Sequence, residues 1–168
     1  MVVFAPAESD AEETRVPLVP ETVAKLVALK ATVQVETGIG TRIHHADEAY
    51  AKAGATIAPD RAVALQAADI VVRLRPPPLP DVASLRSGAL HLSYLDPFFS
   101  GELIKALAKA GVSALSVEMI PRTTIAQKMD ALSSQASLAG YEAVILAAGC
   151  LPKAFPMMMT PAGTIVPA

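Results

Sequence analysis

Short β-branched runs alternate along the chain with Ala-rich stretches of helical periodicity, and this alternation restricts the fold more than any other feature. "MVVFA", "TVQVETG", "DIVVRLRPPPLP", "GALHLSYLDP" and "VSALSVEMIP" read as strands. Between them, "PETVAKLVALK", "ADEAYAKAG", "DRAVALQAA" and "FFSGELIKALAKAG" carry apolar residues at helical spacing. Strands separated by helices run parallel, because the crossover returns each new strand to the same end of the sheet. The expected class is therefore α/β, with a mostly parallel sheet of Rossmann-like or flavodoxin-like kind. Punctuation agrees with this. Pro20 suits a first helical position, Asp60 an N-cap, Gly38 a strand end and Gly54 a helix end. The proline run Pro76–Pro78 is expected to stop its strand, since proline donates nothing to a ladder.

From Ser133, "SSQASLAGYEAVILAAG" predicts the strongest helix, with Leu138, Tyr141, Val144, Ile145 and Ala148 at helical spacing and Ser133 or Ser134 as N-cap. The tail "CLPKAFPMMMTPAGTIVPA" is rich in Pro and Met and suggests no element. No internal repeat is visible.

At 168 residues the chain is long enough for one ordinary domain with its own core. With 52% hydrophobic and 18% charged residues it is too apolar to be disordered, and the excess of Ala and Val implies a core of small side chains. A formal net charge of -2 argues against nucleic acid as a partner. The single cysteine, Cys150, allows no internal disulfide, fits a reducing cytosol, and is expected to be a small buried residue near a helix end. The N-terminus lacks a signal-peptide pattern. The longest uncharged apolar run, "AVILAAGCL", is about half of the roughly 20 residues that a spanning helix needs, so direct membrane insertion is not expected.

Three segments could carry chemistry. In "ETGIGTRIHH", Gly38 and Gly40 imitate the opening of a dinucleotide fingerprint, but Ile43 takes the third glycine position. His44 and His45 then read as a solvated turn. Arg15, Arg73 and Arg75 stand where α/β folds hold anions, the alternative being surface ion pairs with Glu12, Glu13 or Asp81. The third segment, "RTTIAQKMD", gathers Arg122, Thr123, Thr124, Gln127 and Asp130 after Pro121 at an expected strand end. A helical run would put Thr123, Gln127, Asp130 and Ser134 on one face, whereas a loop would cluster them at the amino end of the next helix. Either arrangement can read an amide together with a ribose or phosphate. The alternative is a solvated segment in which Arg122 and Asp130 pair with each other.

"PRTTIAQKMDALSSQASLAGYEAVILAA" and "FPMMMTPAGTIVPA" closely resemble the NAD(H)-binding domain of the α subunit of proton-translocating NAD(P) transhydrogenases. "ETRVPLVPETVAKLVAL" and "VQVETGIG" are like the amino-terminal motif that this family shares with alanine dehydrogenase. The resemblance implies two α/β subdomains with NAD(H) in the cleft between them. Residues 1–132 would form the first, and 133–168 the interdomain helix and the start of the second. It implies that Arg122 and Asp130 position the nicotinamide carboxamide and adjacent phosphate, with Thr123, Thr124 and Ser133 beside them. Gln127 would reach toward NADP(H) carried by a partner domain, for direct hydride transfer of the Re/Si type from NADH to NADP⁺, coupled to proton translocation. The implied partners are the membrane and NADP(H)-binding subunits and a second copy of the chain. The implied location is cytoplasmic, peripheral to the inner membrane.

Alanine dehydrogenase is the competing member of this resemblance. Arg15 matches its substrate-binding arginine, but Arg75 stands where its lysine would be and Asp96 where its catalytic histidine would be. A carboxylate there would repel a substrate carboxylate. The family also continues after "GTIVPA" into a strand and a G-x-G-x-x-G turn, which these residues do not include. The second nucleotide-binding subdomain is thus expected to be missing, NAD(H) binding by this polypeptide alone to be weak, and the isolated chain to be inactive. A non-catalytic module acting in dimerisation or docking is the other expectation.

Overall fold

A computed structural model describes residues 1–167, which divide into two compact units, Met1–Ile120 and the residues from Pro121 onward. The division falls before the 132/133 boundary expected from sequence.

In the first unit six strands form one parallel sheet: β1 (Val2–Ala5), β2 (Thr32–Glu36), β3 (Thr56–Ala58), β4 (Ile70–Val72), β5 (Leu90–Ser93) and β6 (Ser113–Ser116). Their order is β3-β2-β1-β4-β5-β6. The chain winds outward from β1 to β3, then returns to lay β4 on the other side of β1, with Val3 level with Val33 on one flank and Ile70 on the other. This Rossmann-like order puts a topological switch point between β1 and β4, where the connections leave in opposite directions and a crevice opens at the carboxyl ends of the strands.

The helices are α1 (Pro20–Ala28), α2 (Asp47–Lys52), α3 (Arg61–Ala67), α4 (Leu79–Ser84) and α5 (Gly101–Lys109). Side-chain alternation along β1 divides the core. Phe4 joins Leu65, Val71, Val82 and Leu107 on one face of the sheet, while Val3 and Ala5 join Val23, Val33, Val35 and Tyr50 on the other. Burial of both faces explains the continuous apolar runs of the central strands β1 (VVFA) and β4 (IVV). The core is largely Ala and Val, as expected. Its largest buried side chain, Tyr50, is anchored by its hydroxyl, which donates to the Leu18 carbonyl at 3.0 Å.

Two local features depart from the sequence reading. The proline run ends β4 but also starts α4: Pro78 is the N-cap and Pro80 lies in the first turn, where a missing N–H costs nothing. In "GIG", Gly38 turns the chain at φ +77°, and Gly40 is a packing position, since a Cβ there would lie 2.5 Å from the His45 carbonyl oxygen and 2.6 Å from Tyr50 Cε2. The half-buried His45 ring meets Tyr50 edge-on, at a centroid separation of 6.5 Å.

The second unit holds α6 (Ala131–Cys150) and an antiparallel hairpin of β7 (Met158–Thr160) and β8 (Gly163–Ile165), formed within the tail in which no element was expected. No residue of α6 is buried. Leu132, Leu138, Tyr141, Val144, Ile145 and Leu146 are all exposed, so apolar side chains occupy several faces rather than a single stripe. Cys150, expected to be buried, is exposed, as it lies at the end of a helix with no buried residue. No helix among the described residues is long and apolar enough to cross a membrane.

Candidate functional site

The segment ahead of α6 is a loop, which decides between the two arrangements left open by the sequence. β6 ends at Ser116 and a 3-10 turn over Val117–Met119 follows it, so Arg122 does not directly follow a strand. From Pro121 the backbone makes consecutive turns: Thr123 N–H donates to the Pro121 carbonyl at 2.9 Å, Ala126 N–H to Thr123 at 3.0 Å, and Met129 N–H to Ala126 at 2.8 Å. Ala126 is buried, while Arg122, Thr123, Thr124 and Gln127 are exposed. The α-helix begins only at Ala131, so Thr123, Gln127, Asp130 and Ser134 do not form a helical face.

Asp130 organises the amino end of α6. Its Oδ1 accepts from Leu132 N–H at 2.9 Å and Ser133 N–H at 3.2 Å, and its Oδ2 accepts from the Ser133 hydroxyl at 2.6 Å. Neither Ser133 nor Ser134 is the cap: Ser133 is inside the first turn, and the Ser134 hydroxyl donates back to the Ala131 carbonyl at 3.1 Å. A carboxylate wins this position because it accepts several N–H and O–H groups at once. The Ser133 hydroxyl, then its backbone N–H, hold the Asp130 carboxyl below the usual range, and Arg122 adds to this from 3.7 Å. Thus Arg122, Asp130 and Ser133 are brought together, and Thr123 Oγ1 accepts from Ala126 N–H at 3.3 Å within the loop. The helix N-terminus is already capped by Asp130, so an incoming phosphate would have to compete for it. The remaining exposed donors and acceptors suit a neutral amide.

The carboxyl edge of the sheet, in the first unit, holds a second polar cluster. Arg73, at the end of β4, is buried, and its Nη1 pairs with Asp81 at 2.6 Å. Arg61 joins Glu36 at 2.8 Å and Asp81 at 3.4 Å, and both guanidinium groups donate to the Ser9 hydroxyl. The surface pairs expected for the three arginines become, for Arg73, an interior one, because α4 carries Asp81 over the strand end. Arg15 and Arg75 converge on Glu13, which is 4% exposed. Its carboxyl is held at about 2, chiefly by the hydrogen bond from the Arg15 side chain, against the opposing effect of burial. Asp96 sits at φ +46°, and its N–H and that of Leu95 donate to Glu118 Oε1. Glu13 as a buried acid and Glu118 were not legible in the sequence, where both look like ordinary surface carboxylates.

The family model "Alanine dehydrogenase/PNT, N-terminal domain" matches residues 4–139. The chain is 42% identical over 173 residues to an NAD(P) transhydrogenase subunit alpha protein of Rhodospirillum rubrum, a match covering 100% of this chain and 45% of that relative. The crystal structure of a transhydrogenase from Sinorhizobium meliloti superimposes with a TM-score of 0.92 at 43% identity, over 100% of this chain and 50% of that one. Alanine dehydrogenase of Bacillus subtilis is 30% identical over 153 residues, covering 91% of this chain and 39% of the enzyme. The chain spans about half the length of the curated transhydrogenase relative, at 45%. With residues 4–139 matched and the parallel sheet in place, it belongs to the alanine dehydrogenase/PNT N-terminal domain family.

Proposed function

We propose that this chain is the N-terminal part of the NAD(H)-binding subunit of a proton-translocating transhydrogenase, in which hydride passes from NADH to NADP⁺ held by a partner domain. The observation that carries this reading is likeness to a transhydrogenase over the whole chain, at 43% identity and a TM-score of 0.92. In this reading residues 1–132 are the first α/β subdomain, and 133–168 the linking helix and the opening of the second.

The loop supplies a donor and acceptor set that fits a nicotinamide carboxamide. Arg122 and the Thr123 and Thr124 hydroxyls are exposed donors, and the Gln127 amide both donates and accepts. Arg122 and Asp130 position the carboxamide and neighbouring phosphate, Ser133 holds Asp130, and Gln127 extends toward the partner's nucleotide. The bound nicotinamide pair supplies the hydride chemistry. The protein's contribution is alignment, which suits a site without a histidine or cysteine. Membrane and NADP(H)-binding subunits, and a second copy, are the proposed partners. The uncovered apolar surface of α6 supports its burial in such an assembly. The location would be cytoplasmic and peripheral to the inner membrane. No G-x-G-x-x-G run occurs in these residues, so NAD(H) binding by the chain alone should be weak.

The test uses the chain reconstituted with the rest of the subunit and the NADP(H)-binding partner. Arg122→Ala and Asp130→Asn should each slow hydride transfer by roughly a hundredfold, as misplacement of a reacting group does. Asparagine keeps the cap while removing the charge, so helix loss is separated from loss of the site. Rates within about threefold of the parent would remove both residues from the site.

A further inference from the structure

The six-stranded sheet of unit 1 is clothed by helices on one face and on only half of the other. Right-handed crossovers fix this: α1 and α2 form as the chain winds from β1 out to β3, and α3, α4 and α5 as it winds back toward β6, on the opposite face. The buried side chains agree. Leu65, Val82 and Leu107 of the second set cluster with Phe4 and Val71, and Val23 and Tyr50 of the first with Val3 and Val33. No helix of unit 1 is therefore left for the second face of β4, β5 and β6. Alternation along β5 shows the result: His91 and Ser93, on the helix-covered face, are buried, whereas Leu90 and Leu92, on the other, are only half-buried. The register lines these leucines up with their neighbours in two rungs, Ile70 beside Leu90 beside Ser113, and Val72 beside Leu92 beside Leu115. Leu115 is 39% exposed, and neither rung contains a charged residue.

The size of this bare area selects what can cover it. It is three strands wide, about 10 Å between the outer two, and a helix is about 10 Å in diameter. The two rungs lie about 7 Å apart, so two turns of helix span them. In all the patch covers on the order of 200 Å². A second copy of the chain seated on it would bury far less than the roughly 800 Å² per partner of a stable dimer. A contact this small holds when both its sides belong to one larger assembly, which raises their local concentration. The Rhodospirillum rubrum relative has residues to supply the cover, since the match spans only 45% of it. We propose that the bare half-face seats one amphipathic helix from the part of the family's chain outside these residues, with apolar side chains at i, i+3, i+4 and i+7 laid across β4, β5 and β6. The inference rests on the reading of this chain as part of a transhydrogenase subunit, and adds which surface of unit 1 the remainder of that subunit covers.

The test pairs the full chain with the portion of the Rhodospirillum rubrum relative outside the match, supplied as a separate polypeptide, and follows association by sedimentation velocity. Leu92→Lys places a charge in the middle of the bare face, where it reaches water in the chain alone but is buried under a docked helix. The variant should keep its Tm within about 3 °C of the parent, and should bind the added polypeptide at least about a hundredfold more weakly. Val63→Lys, at an exposed position of α3 and so on the other side of the sheet, should bind like the parent. Equal binding by the parent and both variants would overturn the inference while leaving the transhydrogenase reading intact. Failure of the parent itself to bind would count against that reading, and the inference would fall with it. Self-association of the parent that Leu92→Lys abolishes would also overturn the inference, by making a second copy the occupant. Should Leu92→Lys not fold, Leu115→Lys at the exposed sheet edge takes its place with the same expected outcomes.

Discussion

His91 makes unit 1 sensitive to acid in a pH range where few other groups titrate. It lies on β5, 1% exposed, with Nε2 3.1 Å from the Ser93 hydroxyl and Nδ1 lacking a hydrogen-bond partner. Burial, and then the nearby Arg73 charge, push its pKa from 6.5 down to about 4. Protonation would place a second N–H in a site without an acceptor and a second positive charge near the first. The folded pKa lies below the unfolded one, so the unfolded chain takes up the proton first. The neutral ring's contribution is complete above pH 6.5 and is lost as the pH falls toward 4. From these two values, the loss between pH 7 and pH 5 is about 2 kcal/mol. Urea unfolding of the full chain by far-ultraviolet circular dichroism, at fixed ionic strength across this range, measures it directly. His91→Gln should flatten the dependence, because the substitution removes the titrating ring while His44, His45 and every carboxylate stay in place. An equal slope in parent and variant would refute the assignment.

Two further substitutions probe how the strand ends are built. Gly40→Ala should destabilise unit 1 by about 2–3 kcal/mol in the same unfolding assay, since the added methyl meets the His45 carbonyl and the Tyr50 ring; a change below about 0.5 kcal/mol would mean that the loop relaxes freely. Asp60→Ala removes the acceptor for Val63 N–H at the start of α3 and should cost about 1 kcal/mol, with Asp60→Ser restoring most of it.

The α/β class was legible because it rests on periodicity, which short parallel units display without reference to partners distant in sequence. The helix over "PETVAKLVA", the Asp60 cap and the turn at Gly38 follow from local chemistry, and each is found where that chemistry placed it. What the sequence concealed depends on tertiary proximity. β3 is three residues long and makes sense only beside Glu36 of β2, and α4 begins inside a proline run that locally signals a stop. Glu13 looked no different from Glu12; only the return of the chain after β4 brings Arg75 against the one and not the other. The cap of α6 was misplaced by a similar limit. Asp130, Ser133 and Ser134 are all acceptable N-caps by residue type, and the backbone turn after Ala126 selects the carboxylate.

The distribution of charge bears on which of the two polar clusters could take a nucleotide. At the switch point Arg15, Arg61, Arg73 and Arg75 each meet a carboxylate at 3.1 Å or less, from Glu13, Glu36 or Asp81. These guanidinium groups are compensated, and recruiting one of them to a phosphate would take a close partner from a buried or half-buried acid. The loop ahead of α6 differs. Arg122 is 61% exposed at the side chain and stands 3.7 Å from Asp130, whose carboxylate is already satisfied by the Ser133 hydroxyl and two backbone N–H groups. Redirecting Arg122 to an incoming anion or amide therefore strands nothing: Asp130 keeps its other donors, and the guanidinium exchanges a long contact and water for a ligand. For this reason the proposed nicotinamide role falls to the loop, which can change partners at little cost, while the sheet edge, though placed where such folds bind ligands, is already occupied by its own acids.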